Sequence, residues 1–101
     1  MGKRSALHDT FCKILGSRNA YFQPPSSVRM NYPAIVYKLE DVPTTYADDG
    51  VYLANRKYLV TLIDSDPDSK FVDKLLRLPY SQFVRSYKSD NLNHFIFNIY
   101  Y

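Results

Sequence analysis

RKYLVTLIDSDPDSKFVDKLLRLP, residues 56–79, changes its hydrophobic period midway, and that change decides the fold. From Arg56 to Ile63 the side chains alternate. Tyr58, Val60 and Leu62 point one way, while Lys57, Leu59, Thr61 and Ile63 point the other. A period of two is that of a strand. Residues 67–78 then take helical spacing: Phe71, Val72, Leu75, Leu76 and Leu78 form an apolar stripe, with Lys70, Asp73, Lys74 and Arg77 toward water. Pro79 keeps Leu78 from continuing in helical geometry.

Between strand and helix, Asp64, Asp66 and Asp68 have the spacing that opens a calcium loop. Such a loop needs glycine at its sixth position and a bidentate Glu at its twelfth. Ser69 and Leu75 occupy those places, and a strand precedes the loop where a helix is required. The residues predict a helix start instead, with Asp66 as N-cap, Pro67 at the first helical position and Asp68 at the positive end of the dipole. The same solvated placement argues against a pair of catalytic acids.

Outward from this core, SALHDTFCKIL (5–15) places Ala6, Leu7, Phe11, Ile14 and Leu15 on one side of a helix, and Gly16 is its stop. NAYFQ (19–23) reads as a brief strand, ended by Pro24-Pro25-Ser26-Ser27. AIVYKLE (34–40), QFVRSYK (82–88) and HFIFNIYY (94–101) read as further strands. The last is apolar on both faces and belongs inside the sheet, and Ser89-Asp90-Asn91 supplies the turn before it. The segment at 41–51 is longer than a hairpin needs. The resulting class is α+β, in the order α-β-β-β-α-β-β. One domain over 1–101 carries two helices on a mostly antiparallel sheet of four to five strands.

The totals bound the function. The chain has 101 residues, 46% of them hydrophobic and 23% charged, enough for a real core. Ten Tyr, six Phe and no Trp suit surfaces that are wet alone and covered in an assembly. The net charge of +3 is well mixed, with no basic run beyond Lys3-Arg4. Cys12 alone forms no internal disulfide and fits a reducing compartment. His8 and Asp9 interrupt the apolar run of a signal peptide, and no segment approaches a membrane span, so a soluble intracellular protein is expected.

Candidate chemistry is sparse. His8 and Cys12 are four apart on one helix, a nucleophile pairing in principle, but no oxyanion site or third group accompanies them. His94 opens an apolar strand, and the histidines and cysteine make no metal spacing. Neither an enzyme nor a cofactor is expected. Arg56, Lys57 and Tyr58 on one strand, with Arg85, Tyr87 and Lys88 on another, suggest a stacking platform for single-stranded nucleic acid, which ranks second among the functional classes.

Three blocks, YFQPPSSVRMNYPAIVYKLED, RKYLVTLIDSDPDSKFVDKLLRLP and FVRSYKSDNLNHFIFNIYY, occur in order from about Phe22 to Tyr101. Together they resemble the tail terminator proteins of long-tailed bacteriophages, also called tail completion or tail-to-head joining proteins. The resemblance implies a small α+β subunit of a homo-oligomeric ring, typically a hexamer, at the tail-head junction of the virion. It is assembled in the host cytoplasm. The ring would cap the tail tube protein, stop its polymerisation and offer a surface to the head connector or stopper, with the genome passing through. No catalytic residue carries over. Another neck component, a stopper or adaptor, is the related alternative. Thr45, Tyr46, Asp48, Asp49, Tyr52 and Arg56, in and beside the long loop, are the candidates for contact with a neighbour or the tube.

Overall fold

The structure, a computed structural model, describes residues 3–42 and 56–101. Its elements are α1 (Lys3–Leu15), β1 (Ala20–Phe22), β2 (Ala34–Asp41), β3 (Lys57–Asp64), α2 (Phe71–Leu76), β4 (Ser81–Ser89) and β5 (Leu92–Tyr100). Five strands form one sheet in the order β1-β2-β3-β5-β4. The expected α+β architecture and element order are both present.

The alternation in β3 does its predicted job. Tyr58, Val60 and Leu62 are buried at 1% exposure or less, and each pairs across the sheet with an apolar residue of β5: Ile99, Phe97 and Phe95. On its other side β3 pairs antiparallel with β2, which sets Leu62 against Ile35 and Val60 against Tyr37. Both helices pack on this face. Leu7, Phe11 and Leu15 of α1, one helical turn apart, join Phe71 and Leu75 of α2 over the sheet. Ala6, placed in the stripe by spacing, is exposed. Gly16 (φ 70°) ends α1, and its left-handed backbone lets the Ser17 N–H return to the Cys12 carbonyl at 3.2 Å.

β5, apolar as read, is interior, between β3 and β4. Asp90 and Asn91, both at positive φ (54° and 63°), close the β4–β5 hairpin, the geometry of a type I′ turn. One pairing departs from the antiparallel rule. β1 runs parallel to β2, so residues 23–33 must cross the sheet between them. This crossover lies on the face opposite the helices, where Pro24, Pro25 and Met30 look onto Val36, Leu59 and Thr61. The Asn31 N–H donates to Tyr21 Oη at 3.2 Å and ties the crossover to β1.

The second helix corrects the sequence reading. It covers Phe71–Leu76, not 67–78, and neither Asp66 nor Pro67 begins it. Asp66 is engaged elsewhere: its Oδ1 accepts the Asp68 N–H at 2.9 Å, while Asp64 Oδ1 accepts the Asp66 N–H at 3.1 Å. Two successive Asx turns thus hold the chain in a non-helical path. The buried Ser69 then takes the Phe71 N–H on its Oγ, and Lys70 occupies the cap position with no side-chain cap bond. Leu76, counted in the apolar stripe, is 42% exposed: Phe71 and Leu75, at i and i+4, are buried, and Val72 and Leu78 pack at the edge of the core.

Candidate interaction surface

The long-loop candidates Thr45, Tyr46, Asp48, Asp49 and Tyr52 lie outside the described residues. Arg56 is exposed and flanks β3 without joining it. Its backbone exchanges hydrogen bonds with Tyr101, N–H to O at 3.2 Å and O to N–H at 2.9 Å.

The polar and nucleophilic candidates do not assemble into a reaction site. His8 meets Tyr37, not Cys12: its Nδ1 is 2.6 Å from Tyr37 Oη. Tyr37 is the aromatic hub of the core. Phe11, Phe22 and Tyr58 surround it at ring distances of 5.0, 5.1 and 6.1 Å. Burial pushes the Tyr37 phenol above its ordinary pKa, with Arg4 nearby pulling the other way. Arg4 itself lies over the Phe22 ring at 4.5 Å. Cys12 is half-buried against the edge of the core. Among the described residues no three His, Cys, Asp or Glu side chains gather as metal ligands. The Asp64 and Asp66 carboxylates serve the turn, which Asn93 clamps to β5 by donating Nδ2 to the Asp64 and Ser65 carbonyls at 3.3 Å each.

The nucleic-acid platform divides. Tyr58 is buried beneath the helices and cannot present its ring, whereas Arg85 and Tyr87 stand on the opposite face of β4. There Tyr87 stacks on His94 (centroids 4.7 Å, planes 9° apart), and the Arg85 guanidinium lies 5.7 Å from the Tyr87 ring. What remains is a compact Arg-Tyr-His stack.

Sequence alone points to Arg85, Tyr87 and Lys88 on β4 but not to the outer edge of that strand. β4 is a terminal strand of the sheet, nine residues long, and every residue after Ser81 is exposed. Phe83, Val84 and Tyr87 are each about half exposed (46%, 47% and 45%), Phe83 on the helix side of the sheet and Tyr87 on the opposite face, and Leu76 and Tyr80 ahead of the strand are exposed as well. Phe83 meets the core at Phe97, edge on at 5.5 Å. A register shift between Phe83 and Arg85 bulges the strand at Val84. Long apolar edges are the places where sheets join other chains, and bulges and cations are what restrains them. The alternating pattern of QFVRSYK announced a strand, but alternation does not say whether either face is covered.

A second concavity, about 490 Å³, lies under the proline crossover, lined by Pro24, Pro25, Met30, Val36 and Leu59, with Lys38 at its margin. It has the size of a small-molecule site, and its polar lining is Gln23, Ser26, Lys38 and Thr61, with Gln23 Oε1 already accepting the Leu39 N–H at 3.1 Å. No helix among the described residues is long and apolar enough to cross a membrane. Comparison with known protein families, curated proteins and solved structures finds no match to this chain, so the surface is read from its own chemistry.

Proposed function

We propose that the chain is a structural virion protein, the tail terminator of a long-tailed bacteriophage. Copies of it form a ring that closes the tail tube and receives the head connector. The observation that carries this reading is the outer edge of β4, which has no partner strand among the described residues and bears half-exposed Phe83, Val84 and Tyr87. A subunit built to be covered by its neighbours needs such a surface on an otherwise well-packed domain. The resemblance of the ordered blocks from about Phe22 to Tyr101 to tail terminator proteins supports this specific reading.

The test is loss of the gene in the phage that carries it, with tails viewed by electron microscopy. Tails of uncontrolled length, shortened to normal by supplying the protein, support the reading. Normal tails on which heads fail to join point to a stopper or adaptor. Normal infectious particles remove the neck reading altogether.

The Arg85–Tyr87–His94 stack favours a second reading, a module for single-stranded nucleic acid. Binding of a short oligonucleotide that falls steeply with salt and is lost in Tyr87→Ala supports it. Absence of binding at low salt eliminates it.

A further inference from the structure

The outer edge of β4 has no partner strand among the described residues, so its outward N–H and C=O groups are free to pair with an extended chain. The residues along it select the visitor. Ser81–Ser89 carries Arg85 and Lys88, both exposed, and no acidic residue. A second β4 laid on this edge would bring cations together, which disfavours the pairing. The opposite edge of the sheet does no better. β1 is three residues long, with exposed Arg18 just before it and Arg4 over its Phe22 ring. Neither sheet edge of a second copy complements β4.

The complement is present elsewhere in the same sequence. Residues 42–55, VPTTYADDGVYLAN, contain Asp48 and Asp49 and no basic residue, while Glu40 and Asp41 before them belong to β2, where Glu40 pairs with Lys57 at 3.6 Å. Thr44, Thr45 and Tyr46 before Asp48-Asp49-Gly50, and Val51 and Tyr52 after it, are the strand-favouring residues of the stretch.

We propose that the β4 edge of one copy is the docking strand for residues 42–55 of a neighbouring copy. Asp48 and Asp49 then lie along Arg85 and Lys88, while the visitor's aromatic and β-branched residues cover Phe83, Val84 and Tyr87. The inference rests on the ring reading in one respect: head-to-tail packing is what brings the segment of one copy beside the strand of the next. The two surfaces differ, so the contact is heterologous and repeats from copy to copy. A single strand with two charge pairs is weak alone. It becomes effective when a ring holds the copies at high local concentration.

The probe is a synthetic peptide of residues 42–55, titrated into the ¹⁵N-labelled full-length protein. Amide shifts confined to residues 81–89 and their β5 partners, fading as salt rises, are expected. Substituting Asp48→Lys and Asp49→Lys in the peptide should weaken binding about tenfold, as should Arg85→Glu with Lys88→Glu in the protein. The two charge-reversed partners should bind each other again, a rescue that damage to the fold would not produce. No shifts at millimolar peptide, shifts elsewhere, or failure of the rescue overturns the proposal. So does protection of the outward β4 amides in the isolated monomer, which would mean that the segment already lies on its own strand. The readout is independent of tails. A protein that sets tail length but ignores the peptide loses only the docking contact; one that binds the peptide but leaves tails unchanged loses only the tail role.

Discussion

Tyr37→Phe removes one oxygen atom from the centre of the core and nothing else. Tyr37 is 1% exposed, and its hydroxyl lies 2.6 Å from His8 Nδ1. Phenylalanine keeps the ring contacts with Phe11, Phe22 and Tyr58 but leaves the half-buried His8 nitrogen without that partner. Losing such a bond costs about 1–2 kcal/mol. With a urea dependence of about 1–1.5 kcal/mol per molar for a chain of this size, the midpoint should fall by roughly 1 M. A double-mutant cycle with His8→Ala should return a coupling of about 1 kcal/mol. Alkaline pH supplies an independent arm. Burial raises the Tyr37 pKa above its ordinary 10.0, so the folded state favours the neutral phenol. That contribution is fully present below about pH 10 and is lost as pH rises through the higher folded value. The stability gap between wild type and Tyr37→Phe should therefore narrow above about pH 10. A variant within about 0.3 kcal/mol of wild type at neutral pH, well below the usual cost of such a bond, would refute the reasoning. A gap that is constant or widens through the alkaline range would refute it equally.

Other substitutions test the local geometry by urea or thermal unfolding. Leu75→Ala should cost about 2–5 kcal/mol and Leu76→Ala about 0.5 or less, because the first is fully buried and the second is 42% exposed. Equal costs would mean that the helix is turned differently. Gly16→Ala meets no atom within 4 Å, so its cost of about 1 kcal/mol should come from the positive φ alone. No loss there would contradict the left-handed stop. Asn91→Gly should stabilise the hairpin by about 0.5 kcal/mol, since glycine takes the second positive φ of this turn without strain. A destabilised variant would show that the Asn91 side chain contributes to the turn.

The framework was legible wherever a periodic pattern met a single burial surface. Tyr58, Val60 and Leu62 gave β3 its inner face, and Leu7, Phe11 and Leu15 gave α1 its own. The reading failed where two local motifs competed for the same atoms. Asp66 before Pro67 has the chemistry of a helix cap, but its carboxylate closes an Asx turn onto Asp68, and the helix waits until Phe71. Pairing partners were also hidden, because alternation in residues 19–23 says nothing about which strand they join or in which direction. The parallel β1–β2 pair depends on a crossover whose prolines read only as a break. The exposed β4 edge was missed for a related reason. Its sequence looks like that of any half-covered strand, and only the sheet order leaves it outermost.

That order has a consequence for how the molecule comes into being. β5 follows every other strand in the chain, yet it is the one that joins β4 to the rest. During synthesis, β1, β2 and β3 can associate early, but β3 has one side open and β4 has no place to go until Leu92–Tyr100 has emerged. The sheet is closed by its last-made strand. A chain cut short before Leu92 therefore lacks Phe97 and Ile99 from its core and presents no ordered β4 edge. Incomplete copies would lack that edge altogether.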